Sequence, residues 1–191
     1  YDNLSYNIIT WNKNEVWATV SDPEVLLIDS TLLNLSRGII YVDESNTNNQ
    51  QDGISWTTAF SKLEDALAIA IIGDTIWMAE GVYKTTENND RSISFEINVG
   101  FSIYGGFHTG DTTYGQRGDN SLTIISGDVS PGGNAEDYSY HIIKNNANGV
   151  LLDNVTIQDG NANGIGLDAN GAGLLNNGSI TLNNIKMLYC Y

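Results

Sequence analysis

The chain has 191 residues, of which 41% are hydrophobic and 16% charged, enough apolar material for one ordinary core and too much for a disordered polymer. Asp and Glu number 23 against 8 Lys and Arg, and the field of a net charge of −15 repels phosphate backbones, which excludes nucleic acid as an expected partner. A single cysteine, Cys190, cannot make an internal disulfide; no run approaches the ~20 apolar residues of a membrane span, and the opening YDNLSYNIIT lacks the basic start and apolar centre of a signal peptide.

In chain order, the first strong signal is SWTTAFSKLEDALAIAIIGD. Phe60, Leu63, Leu67 and Ile71 recur at spacings of three and four, which predicts one amphipathic helix over about residues 57–71. Ser61 and Glu64 have capping-box spacing, and Gly73 stands where a stop is expected. Short alternating or β-branched runs follow: DTIWMA, SISFEI, FSIYG, LTIIS, YHIIK, VLLDNVTIQ and SITLNNIKML, each predicted to be a strand of a few residues. Asn and Gly clusters such as NNANG, DGNANG, DANGAG and LLNNGS separate them, and both residues tolerate left-handed backbone angles, so each cluster predicts a corner.

The last two strand pairs are copies of one another. Aligning VLLDNVTIQDG with ITLNNIKMLYC matches Val150 with Ile180, Leu152 with Leu182, Asn154 with Asn184, Val155 with Ile185 and Ile157 with Met187. In each copy two apolar residues two apart precede a polar break and then a second such pair. A strand, a corner and another strand with inward positions resumed is the pattern of a coil of stacked short strands, in which Asn154 would lie over Asn184.

The series IYVDESNTNNQQDGISWTTAFSKLEDALAIAIIGDTIWMAEGVYKTT resembles the start of right-handed parallel β-helix modules of the pectate-lyase-like superfamily, as found in large Bacteroidetes-type bacterial cell-surface proteins. The YGGF, QR and T-I-x-SGD elements extend the likeness over about residues 39–129. The resemblance implies an all-β, right-handed parallel β-helix, a solenoid with regular turns from about residue 74. Its amphipathic helix would close one end, with Phe60, Leu63 and Leu67 covering the first turn. It also implies an extracellular or cell-surface location and a structural or adhesive role, since the fold alone does not carry chemistry.

Residues 1–36 precede this module, which spans 37–191 and is expected to continue beyond Tyr191 in a parent protein or assembly. Their N-I-I-x-W-N element resembles the closing turns, or a linking segment, of such modules. Closing turns before opening turns make sense if modules join head to tail, with adjoining repeats or other copies as partners. The expected junction residues are Tyr6, Ile8 and Trp11 on one side and Met187, Leu188, Tyr189 and Tyr191 on the other.

Catalytic signals are weak. Related lyases use basic residues and often Ca²⁺ on acidic sugars, which makes carbohydrate binding or lysis the alternative function. The candidate bases Lys144 and Lys186 have no second base or carboxylate cluster placed beside them by sequence, so the chain is expected not to be an enzyme. NGIGLDANG resembles one unit of a calcium-binding nonapeptide array, but such a site needs several stacked copies, so the segment is expected to be a Gly- and Asn-rich turn; no cofactor motif is present. Arg117-Gly118-Asp119 spells RGD, His108 and His141 stand apart in sequence, and sequons occur at Asn3, Asn34, Asn154 and Asn177.

Overall fold

A computed structural model describes residues 8–10, 16–18, 38–130 and 133–191. Strand β1 (Ile8–Thr10) pairs antiparallel with β2 (Val16–Ala18), Ile9 opposite Trp17. The rest is mostly β, with one α-helix and three parallel sheets of five, four and three strands.

The chain visits these sheets in a fixed order. Strand β3 (Ile39–Val42) lies in the five-stranded sheet. Next come β4 (Thr75–Ala79), β5 (Gly81–Lys84) and β6 (Phe95–Ile97), in the five-, four- and three-stranded sheets respectively. The same order recurs in β7 (Ser102–Phe107), β8 (Thr123–Ser126) and β9 (Ile143–Asn145), and in β10 (Val150–Asp153), β11 (Thr156–Gly160) and β12 (Leu174–Asn176). The last pass supplies β13 (Ile180–Asn183) and β14 (Lys186–Cys190). Each strand pairs with its counterpart in neighbouring passes, giving the orders β13-β10-β7-β4-β3, β14-β11-β8-β5 and β12-β9-β6.

Register follows the repeat read from the sequence. Val150 pairs with Ile180, Leu152 with Leu182 and Ile157 with Met187. One core cluster draws on all three sheets and is built from columns of like residues: Ile40, Ile76, Ile103 and Leu152 in the five-stranded sheet, Tyr83, Ile125 and Ile157 in the four-stranded sheet, Phe95 and Ile143 in the three-stranded sheet.

The helix is shorter than its periodicity predicts. Helix α1 spans Leu63–Ile69, and Trp56–Thr58 is a separate 3-10 turn. Between them Phe60 bridges Val42 in parallel, and the Ser61 N–H and hydroxyl both donate to Gln51 Oε1, so Ser61 does not cap the helix. Pairing with β3 takes the residues that amphipathic spacing assigned to a first turn. At the other end Asp74 Oδ2 accepts from the Ile71 N–H, and the chain leaves the helix before Gly73, whose φ of +83° serves a later bend. Helix α1 packs against β3 and β6, with Leu63 and Ala66 in the core and Phe60 and Leu67 half-buried against it.

Candidate functional site

In the last two passes the corner between the five- and four-stranded sheets is two residues wide, Asn154–Val155 and Asn184–Ile185. Asn154 (φ +64°) and Asn184 (φ +49°) both adopt the left-handed conformation there, which Asn tolerates and which turns the strand through the bend. Asn184 Nδ2 donates to Asn154 Oδ1, thirty positions back, and Asn154 Nδ2 donates to the carbonyls of Gly105 (3.1 Å) and Gly118 (3.0 Å). Gly106 (φ +85°), near the end of β7 in the preceding pass, lies against this amide; a Cβ there would collide with Asn154 Nδ2, so only glycine leaves room for it. A second amide column runs beside the three-stranded sheet: Asn146 Nδ2 to Asn98 Oδ1 (3.0 Å) and Asn177 Nδ2 to Asn146 Oδ1 (2.9 Å).

The last pass is an edge. Among the described residues β12, β13 and β14 each have a neighbour on one side only. Leu182 and Met187 continue fully buried columns yet are 42% and 44% exposed, while Ile180, Ile185 and Leu174 are half-buried. Tyr189 (φ +51°) and Tyr191 are exposed and Leu188 is half-buried. Tyr191 is tied to the preceding pass through its N–H to Gly160 O and its carbonyl to the Ala162 N–H, both 3.0 Å. Of the residues expected on the opposite side of a junction, Ile8 lies in β1, and Tyr6 and Trp11 lie outside the described residues. Cys190 packs half-buried against the core, and burial pushes its thiol up from the ordinary cysteine range.

The outer face of the five-stranded sheet carries an aromatic column. Tyr41, Trp77 and Tyr104 are in register, followed by Asp153 and Asn183. Trp77 stacks on Phe107 with centroids 4.2 Å apart, and Trp56 meets Tyr41 edge-on at 4.7 Å. Arg117 closes the column: its guanidinium lies 3.6 Å from the Tyr114 centroid, and its Nη1 is 3.5 Å from Asp153 Oδ2, to which the Tyr114 hydroxyl donates at 2.6 Å. That bond to Asp153 raises the Tyr114 pKa. With its side chain 12% exposed, Arg117 is a packing element, and the RGD tripeptide does not present its arginine. The sequence carried a signal for this column that motif reading passed over, since IYV, IWM and IYG each set an aromatic residue after the inward isoleucine.

The remaining candidates are scattered. Lys186 is exposed on β14 opposite Thr156, and Lys144 lies on β9 opposite Glu96 and Leu175, so the two are not brought together. His108 is exposed, 3.9 Å from both Glu80 and Asp111. His141, isolated in sequence, is buried with Nδ1 3.3 Å from Gly171 O and Nε2 3.3 Å from Asp168 Oδ1, so the NGIGLDANG segment folds over a histidine. Among the described residues no group of three or more His, Cys, Asp or Glu is arranged to hold a metal, and no helix is long and apolar enough to cross a membrane. Asn154 is 3% exposed with its amide engaged, which closes that sequon to a glycan, whereas Asn177 is exposed.

Comparison with protein-family models, with curated proteins and with solved structures gave no match.

Proposed function

We propose that the three parallel sheets are the walls of a right-handed parallel β-helix with α1 over one end, and that the chain is a structural or adhesive module of an extracellular bacterial surface protein, joined end to end to its neighbours. Cyclic visiting of the sheets supports the first part, because parallel strands joined by crossovers follow one hand. The observation that carries the second is the last pass: Leu182 and Met187 stand in register with buried Leu152 and Ile157, yet are themselves open. An edge of unpaired backbone groups beside apolar side chains is a template for another strand set. In this reading residues 1 to about 35 of the next repeat, with Tyr6, Ile8 and Trp11, cover that edge, and repeating a contact that does not close gives a fibre. The reading assigns the chain no catalytic step.

Sedimentation velocity over a hundredfold concentration range tests it. The native chain should form larger species as concentration rises, and Met187→Lys should hold it as a folded monomer; a native chain that stays monomeric, or a variant that associates equally well, overturns the reading. Carbohydrate binding is the second reading, and it is favoured by a groove of about 420 Å³ in which Trp56 stands beside Asp43, Asn46 and Thr109.

A further inference from the structure

We propose that the groove beside Trp56 binds a neutral pyranose and rejects its uronic-acid counterpart, because hydrogen-bond acceptors set around the buried Asp43 carboxylate line its wall. This rests on the carbohydrate-binding reading above and names the class of sugar.

Asp43 makes the acceptors. Its side chain is buried, 3% exposed, and hydroxyl and N–H groups meet its charge: the Ser45 N–H (3.0 Å) and hydroxyl (2.7 Å) donate to Oδ1, and the Thr109 hydroxyl donates to Oδ2. A carboxylate can only accept, so both hydroxyl protons are committed to it, and Ser45 Oγ and Thr109 Oγ1 keep only lone pairs for a ligand. Hydrogen bonds in such a chain polarise one another, which makes the two oxygens stronger acceptors. Ser45 and Thr109 are exposed and line the groove. Amide donors of the same loop turn inward, Asn46 Nδ2 to the Ala59 carbonyl (2.7 Å) and Asn48 Nδ2 to the Thr57 carbonyl (3.1 Å).

Trp56 supplies the apolar side. Its Nε1–H donates to the Asp111 carbonyl at 2.7 Å, and Tyr41 and Phe107 meet its ring at centroid distances of 4.7 and 6.0 Å, so the half-buried indole is held in place before any ligand arrives. A pyranose offers a face of C–H groups, which suits an indole ring, and a rim of hydroxyl donors, which suits Ser45 Oγ and Thr109 Oγ1. A uronate keeps the ring and the rim but carries a carboxylate at C6. In this groove that charge meets Asp43, the two lone-pair oxygens and the field of a chain of net charge −15, and no Lys or Arg lines the wall to receive it. Stacking and acceptors thus favour the neutral sugar, and repulsion excludes the acidic one.

The test uses the 191-residue chain and β-1,4-linked sugar hexamers in matched pairs, glucose against glucuronate and mannose against mannuronate, each pair differing only at C6. The Trp56 indole N–H resonance reports occupancy of the groove. A neutral hexamer should shift it and bind at least about tenfold more tightly than its uronate partner, the ratio expected when a hydrogen-bonding group is replaced by one that faces a like partner. Thr109→Val, which removes Oγ1 and keeps the shape, should weaken neutral binding about fivefold or more, and Thr109→Ser, which keeps the hydroxyl, should retain it. Neutral and uronate hexamers that bind within about twofold of each other, or tighter binding of the uronate, overturn the neutral preference and leave the carbohydrate reading standing. No shift with any of the four hexamers removes both. Neutral binding that Thr109→Val leaves within about twofold overturns the acceptor argument on which the proposal stands.

Discussion

Leu152 and Leu182 face each other in register across adjacent strands, one fully buried and the other 42% exposed. The same residue type in the same repeat position thus has two environments, set only by whether another pass lies beyond it. Leu152→Asp should cost about 3–5 kcal/mol, because it places an unpaired charge in the core. Leu182→Asp should cost under about 1 kcal/mol in the monomer, since water reaches that site. Urea unfolding of both variants checks the contrast; equal losses would mean that the last pass is not an edge.

Gly106 makes a second, independent demand. A methyl group at this position would collide with Asn154 Nδ2 and would also have to adopt a φ of +85°. Gly106→Ala should destabilise by roughly 2–3 kcal/mol. Gly110 also has positive φ, +100°, but nothing lies within 4 Å of its added Cβ, so Gly110→Ala should cost only about 1 kcal/mol and measures strain without collision.

Arg117 lies over Tyr114 and beside Asp153, where a planar fork fits and a point charge does not. Arg117→Lys should therefore destabilise by roughly 1–2 kcal/mol although it keeps the charge. Asp153→Asn in the same background should lose less than it does alone, because the two residues share one contact, and a double-mutant cycle on thermal unfolding measures that coupling.

Alkaline pH should unfold the protein partly through Tyr83. Its hydroxyl lies 3.0 Å from Ala79 O and 3.3 Å from Val42 O inside the core, and burial pushes its pKa far up, opposed by the Glu44 N–H and aided by the charges of Asp43 and Glu44. An unfolded tyrosine releases its proton near pH ~10, so the folded state holds the proton longer than the unfolded state. The stability this contributes is fully present below pH ~10 and is lost as pH rises above it. Tyr83→Phe should cost about 1 kcal/mol at neutral pH through the lost hydrogen bonds, and should flatten the fall of stability above pH ~10. Urea midpoints measured from pH 7 to 11 give both numbers.

Much of the strand pattern was legible because a short strand buried on one face writes its inward residues directly into the sequence. The match of Val150–Ile157 to Ile180–Met187 at an offset of thirty predicted register pair by pair, and Asn154 over Asn184 followed from it. Helix length was not legible: Phe60 suits a helix face and a strand bridge equally, and only the partner Val42 decides between them. Tyr114 and Arg117 are neighbours in the chain but meet Asp153 from a distant strand, and His141 meets Asp168 across a loop, so neither cluster as a whole has a local spacing to read.

Amide hydrogen exchange of residues 180–190 as a function of concentration tests the central claim most directly. The account predicts that these amides exchange fast in dilute solution, become protected as the chain associates, and lose that protection in Met187→Lys while β4 and β7 stay protected throughout. Association that leaves residues 180–190 as exchangeable as in the monomer would contradict it.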